Sequence, residues 1–176
     1  MRVIAGQARG RRLLAPPPGD ARVRPTADRA REALFSILQR WPMGPFLDLC
    51  AGTGAVGVEA WSRGYDPVTC VEMAEPGWSC LGRNAQGTGI NLRRSDLYEL
   101  GTEEFRDQAV IFLDPPYESA PALWSQLAPR LARWIAPTGV LIFETGRHTV
   151  LELQTGWRLA ETREYGAARF HLWMPA

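Results

Sequence analysis

The sequence contains no lysine, no long apolar run, three cysteines and two histidines. All twenty basic residues are arginine, whose planar fork suits contact with phosphate better than a lysine point charge does. No apolar stretch reaches membrane-spanning length, and the arginine-rich start has no apolar signal core. The expectation is therefore a soluble, unexported, cytoplasmic protein without membrane contact, working as a monomer. Cys50, Cys70 and Cys80 form no CxxC pair, which argues against a disulfide framework or a zinc site and for a reducing compartment. Neither histidine belongs to a catalytic constellation. His171 alternates within a strand-like run and reads as structural.

What is present fits one globular domain: 176 residues, 45% of them hydrophobic, suffice for a full core and a small extension. The net charge of +1 is unevenly spread. Residues 1–40 hold nine arginines (2, 9, 11, 12, 22, 24, 29, 31, 40) against Asp20, Asp28 and Glu32, a balance of +6. The rest of the chain is mildly acidic. A basic arm on an acidic body points to nucleic acid, although a solvated charged face explains the same residues from charge alone.

RVIAG and RRLLA, joined through QARG, read as a hairpin followed by the loop PPPGDARVRP. Thr26 is a candidate N-cap for a helix running to about Arg40, with Ala30, Leu34, Ile37 and Leu38 on one face. Residues 1–24 thus form a basic hairpin extension and residues 25–176 the main domain. From Pro45 short apolar runs recur, each closing near an acid: FLDLC with Asp48, VTCVE with Glu72, NLRRSD with Asp96 and VIFLD with Asp114. The acids are spaced 24, 24 and 18 residues apart, room for a strand and a returning helix. Repeated units of this kind imply an α/β fold with a parallel sheet covered on both faces. GVLIFET supplies a fifth strand, and WRLAETRE with ARFHLWM, joined through Tyr165, Gly166 and Ala167, an antiparallel closing pair. Right-handed crossovers bring the carboxyl ends of parallel strands to one edge, where ligands bind, so the four acids converge by topology.

After the first strand, AGTGAVG places Gly52, Gly54 and Gly57 in a G-x-G-x-x-G pattern, with Glu72 twenty residues beyond Gly52. This is also the dinucleotide fingerprint, so an NAD-binding oxidoreductase of Rossmann type is a rival. A packing role is reasonable for Gly57, where helix and strand must approach closely. Asp48 favours S-adenosylmethionine, because extra negative charge does nothing for a pyrophosphate but suits a ligand carrying an ammonium and a sulfonium.

The run VIFLDPPY ends on an acid, two prolines and a tyrosine. Each proline removes a donor and fixes φ, so the chain leaves the sheet at Asp114 in a stiff, extended conformation. The stretch resembles the [DN]PP[YF] motif of Rossmann-like methyltransferases acting on exocyclic amines. A ring-conjugated amine is a poor nucleophile, and acceptors at the Asp114 carboxylate and the Pro115 carbonyl would orient it and expose its lone pair. Tyr117 could stack on the base. In-line alignment can then supply most of the rate without metal or covalent intermediate. Asp rather than Asn at 114 leans toward guanine, which shows N1–H beside its N2 amine. Methylation of a protein glutamine amide is a second enzyme reading; the Asp and the basic arm argue against it.

RVIAGQARGRRL, RPTADRAREALFSIL, LDLCAGTGAVGVEAWSRG, IFLDPPY and EYGAARFHLW together resemble the RsmD family of bacterial 16S ribosomal RNA guanine-N2 methyltransferases, over nearly the whole chain and in order. The resemblance implies a seven-stranded, mostly parallel Rossmann-like sheet with antiparallel C-terminal strands and an N-terminal hairpin and helix extension. It implies S-adenosylmethionine as methyl donor and 16S rRNA, in a partly or fully assembled small ribosomal subunit, as substrate. Carried over by motif, Asp48, Ala51, Gly52 and Gly54 bind cofactor, Glu72 takes the ribose hydroxyls and Asp96 lies near the adenine. Asp114, Pro115, Pro116 and Tyr117 hold the target base. Cys50 stands where the family most often has Phe. Arg9, Arg11 and Arg12 are assigned to RNA phosphates from the clustered charge. Arg24, Thr26 and Arg29 could border the active site.

Overall fold

A computed structural model describes residues 1–16 and 28–176; Arg22, Arg24, Thr26 and the expected boundary between residues 24 and 25 lie outside them. Helix α1 (Asp28–Leu38) precedes strand β1 (Phe46–Leu49), helix α2 (Ala55–Ser62), β2 (Val68–Val71), α3 (Gly77–Asn84) and β3 (Asn91–Arg93). A 3-10 turn (Leu97–Glu99), β4 (Gln108–Leu113), α4 (Ala120–Trp134), β5 (Ile135–Gly146), β6 (Trp157–Tyr165) and β7 (Ala168–Pro175) complete the chain. The seven strands form one sheet in the order β3-β2-β1-β4-β5-β7-β6. Strands β1 to β5 are parallel, and β7 runs antiparallel to both β5 and β6. The chain builds outward from β1 to β3, then returns to lay β4 on the other side of β1. The order therefore reverses between β1 and β4, the kind of position at which open α/β sheets bind ligands.

β1 and β4 are buried along their whole length, because helices cover both faces of a parallel sheet. Side chains alternate accordingly. Leu47, Leu49, Ile111 and Leu113 face α4 and a group of Trp124, Trp134, Trp157 and Trp173. Phe46, Val110 and Phe112 face Leu34 and Phe35 of α1 and Val56 and Ala60 of α2. Each such buried side chain contributes about 1.5–3 kcal/mol of transfer free energy. Asp48 is the one carboxylate within β1 and is only 1% exposed.

The expected fifth strand begins earlier than Gly139. Ile135 already pairs with Gln108, and a register irregularity follows before Val110 meets Val140. Gly139 permits this approach, since a Cβ there would lie 2.7 Å from the Gln108 carbonyl oxygen. His171 is buried on β7 with Nε2 2.9 Å from Thr145 Oγ1. Burial, aided by the Arg169 charge, pulls its pKa down to about 4, so it is neutral at pH 7 and structural. Among the described residues no helix is long and apolar enough to cross a membrane.

The N-terminal arm is a narrow hairpin. Arg2 pairs with Arg12, and Val3 and Leu13 bury against Ala55 and Val58 of α2. Its docking is mostly polar. Glu59, fully buried, accepts from the backbone N–H groups of Ile4 (2.7 Å) and Ala5 (3.0 Å) and from Arg63 Nε (2.7 Å). Ser62 accepts from Ala8 N–H and donates to the Ala5 carbonyl. The helix predicted from Thr26 to Arg40 is α1, with the expected apolar face plus one surprise: Arg31 is 0% exposed. Its guanidinium meets the Arg2 carbonyl, Asp28 and Glu59, so one of the nine arginines counted toward a nucleic-acid surface is core.

Candidate active site

The turn after β1 is held in conformations that few side chains tolerate. Cys50, Gly52 and Gly54 have φ of 62°, 55° and 76°, and a left-handed non-glycine residue marks a site where geometry outweighs strain. Two of the glycines are also enforced by packing. A Cβ on Gly54 would sit 2.4 Å from Leu81 Cδ1, and one on Gly57 2.2 Å from the buried Cys70 Sγ. Gly57 thus has the packing role expected of it. Ala51 donates its N–H to the Val71 carbonyl (2.9 Å) and accepts from Gly54 (2.7 Å), which closes the turn.

Carboxylates hold this loop. Asp48 Oδ2 accepts from Gly57 N–H at 2.9 Å, fastening the first turn of α2 to β1. Glu72, at the end of β2, accepts from Gly52 N–H through Oε2 (2.7 Å) and from Met73 and Ala74 N–H through Oε1 (2.9 and 2.7 Å). Asp96 caps the 3-10 turn by accepting from Tyr98 N–H at 2.9 Å.

Cys50 lies within reach of the charges of all four strand-end acids. Burial raises its thiol pKa well above the usual range, and Glu72, Asp114, Asp48 and Asp96 add to the rise. The thiol is therefore protonated at neutral pH. Asp48 is raised well above 3.8 by burial, with Asp114 and Glu72 adding to this and the Gly57 hydrogen bond opposing it. Ionised Asp48 consequently costs stability. That cost is absent below about pH 3.8 and grows as pH rises from there toward the elevated folded value. Asp48→Asn keeps an acceptor for Gly57 N–H and should raise the melting temperature of the ligand-free protein at pH 7, by about 2–4 °C per kcal/mol relieved. Melts repeated toward pH 4 should show the advantage vanish.

At the end of β4, Pro115 is buried while Asp114 and Tyr117 are half-buried. The Pro116 carbonyl accepts from Ser119 N–H and Oγ, which closes the turn into α4. Tyr117 leans on the end of β5: its hydroxyl is 3.3 Å from Glu144 Oε1, and a Cβ on Gly146 would lie 3.0 Å from its ring. Glu144 was missed by sequence reasoning, although it closes GVLIFET in the same phase as the other four acids. Glu59 and Asn84 were also missed; a charged residue inside the otherwise apolar AVGVEAW was the available signal for Glu59. In the arm, Arg9 and Arg12 are exposed, whereas Arg11 Nη2 donates to the carbonyls of Asn84 (2.9 Å) and Gln86 (2.8 Å) at the end of α3. Arg11 therefore braces the arm.

Comparison with known proteins shows what the chain as a whole is similar to. A family model described as Conserved hypothetical protein 95 matches residues 1–174. Ribosomal RNA small subunit methyltransferase D of Haemophilus influenzae is 30% identical over 183 residues, covering 98% of this chain and 93% of its own length. The structure of a hypothetical protein of Thermus thermophilus has a TM-score of 0.83 at 29% identity, covering all of this chain and 99% of that one. An RNA methyltransferase from Salinibacter ruber, in complex with S-adenosyl-L-homocysteine, has a TM-score of 0.64 at 17% identity, covering 86% of this chain and 94% of that one, a likeness of fold.

Proposed function

The chain belongs to the Conserved hypothetical protein 95 family, that of the ribosomal RNA small subunit methyltransferase D proteins, and from that premise we propose that it methylates the exocyclic N2 of a guanine in 16S ribosomal RNA, with S-adenosylmethionine as donor. The observation that carries this reading is the glycine turn held by two carboxylates, Glu72 on Gly52 N–H and Asp48 on Gly57 N–H, beside the switch in strand order between β1 and β4. An anionic rim repels a pyrophosphate and attracts a ligand with an ammonium and a sulfonium, so the donor set fits S-adenosylmethionine and disfavours NAD.

Asp48 and the Ala51–Gly54 turn would hold the amino-acid end of that ligand, Glu72 the ribose hydroxyls and Asp96 the adenine side. Glu72 would then share with the ribose a carboxylate that already accepts three backbone N–H groups. When bound, S-adenosylmethionine supplies an electrophilic methyl group on a positively charged sulfur. Asp114 and the Pro115 carbonyl accept the hydrogens of the guanine amine, which aims its lone pair outward. Pro116 keeps this short segment stiff, and Tyr117 stacks on the base. Positioning of this kind is worth orders of magnitude in rate.

The arm carries the RNA. Arg9 and Arg12 contact phosphates, while Arg24 lies outside the described residues. Replacing both Arg9 and Arg12 with alanine should weaken RNA binding and flatten the dependence of log affinity on log salt by about 0.7–0.9 for each phosphate no longer neutralised. Filter binding over a range of salt concentrations checks it. The enzyme works in the cytoplasm, as a monomer, on 16S rRNA free or in an assembling small subunit.

The test supplies methyl-labelled S-adenosylmethionine with naked 16S rRNA, small ribosomal subunits or ribosomal protein fractions, then maps the labelled nucleoside. Label in N2-methylguanosine is the expected result. Label in protein or in adenosine would reject the substrate assignment.

A further inference from the structure

Asn84, the last residue of α3, is 3% exposed and spends its side chain on two distant pieces of backbone. Its Nδ2 donates to the Thr53 carbonyl (2.8 Å) and to the Leu14 carbonyl (3.1 Å), and its Oδ1 accepts from Leu14 N–H (2.8 Å). Thr53 stands between Gly52 and Gly54 in the cofactor turn; Leu14 is the residue of the arm that follows the paired hairpin. The arm grips the same residue a second time, through Arg11 on the Asn84 carbonyl. Only an amide can do this, since it must donate to two carbonyls and accept from one N–H at once. A buried amide so engaged moves only if both partners move.

Resting on the reading of the glycine turn as the cofactor site, we infer that Asn84 is a positioning residue that couples the arm to that turn, so that cofactor binding and arm docking strengthen each other. A coupling of this kind is reciprocal, and about tenfold is an ordinary magnitude. The arm brings its own control. Gly6 has φ of 82°, and a Cβ there would lie 1.8 Å from the Ser62 carbonyl oxygen, so Gly6→Ala lifts the arm from α2 without touching Asn84 or the turn.

The experiment titrates S-adenosylhomocysteine, without RNA, into the full chain and its Asn84→Ala, Gly6→Ala and doubly substituted forms by calorimetry. Each single variant should bind about tenfold more weakly, and the double variant no worse than either. Independently, in the unmodified protein the ligand should slow hydrogen exchange at the Leu14 amide, and in Gly6→Ala it should not. Multiplying factors in the double variant, unchanged affinity in Asn84→Ala, or a Leu14 amide indifferent to ligand in the unmodified protein would each overturn the coupling. The exchange measurement decides the matter even should Asn84→Ala fail to fold. Tight binding with an unaffected Leu14 amide defeats the coupling alone, whereas no binding by the unmodified protein defeats the cofactor reading with it.

Discussion

Asp114→Ala lowers kcat for methyl transfer to ribosomal RNA by about 10²–10³-fold, the loss found when one preorganised polar group is removed from a reacting centre. Affinity for S-adenosylhomocysteine should stay within a few-fold. The reason lies in the fold. Leu113, the residue before Asp114, is clamped by Leu49 on one side and Phe143 on the other, and two prolines follow, so neither backbone nor neighbours can re-aim another acceptor at the amine. Asp114 is also one of the two charges that raise the Asp48 pKa; its removal makes Asp48 easier to ionise, which does not harm a cationic ligand. Asp114→Asn should also be poor on guanine, because an amide sets a donor where the carboxylate offers a second acceptor. Single-turnover rates together with calorimetry check both. A rate within tenfold of the unmodified enzyme would remove Asp114 from the chemistry.

Glu59→Ala costs about 3–5 kcal/mol of stability, the range for breaking a buried ion pair from one side. Arg31 and Glu59 are both fully buried, with Arg31 Nε 3.6 Å from Glu59 Oε2. Among the described residues Nε and Nη1 of Arg31 have no hydrogen-bond partner, and Nη2 bonds the Arg2 carbonyl and the exposed Asp28, so Glu59 is the buried charge that faces the guanidinium. The same carboxylate holds Ile4 and Ala5 N–H, and its loss frees the arm as well. A fall in melting temperature of about 10 °C is expected for a chain of this size. Adding Arg31→Met should recover part of it, because a buried pair can be exchanged for apolar groups more cheaply than it can be halved. Thermal melts of the three variants check this; a loss under about 1 kcal/mol for Glu59→Ala would show that the pair matters little.

Much of the fold is legible because its signals are local. Strands β1, β2 and β4 announce themselves as apolar runs with an acid at or near their ends, and the turn AGTGAVG needs glycine where φ is positive or where Cys70 and Leu81 leave no room. The convergence of Asp48, Glu72, Asp96 and Asp114 follows from the handedness of crossovers alone. Glu144 carries the same signal, and the pattern of strand-end acids extends through it to β5.

The sequence by itself determined the parallel sheet, the glycine turn after its first strand and the strand edge to which the acids belong, because period, glycine and strand-end acid are properties of neighbours along the chain. Only the tertiary structure decided which polar residues serve the interior. Arg31 looks like its exposed neighbour Arg29, Arg11 like Arg12, and Asn84 like any helix-ending amide. Their partners, Glu59, the end of α3 and the pair Thr53 with Leu14, lie tens of residues away. A hydrogen-bonding group takes whatever the packing brings within about 3 Å, and that choice is made when helices settle on the sheet.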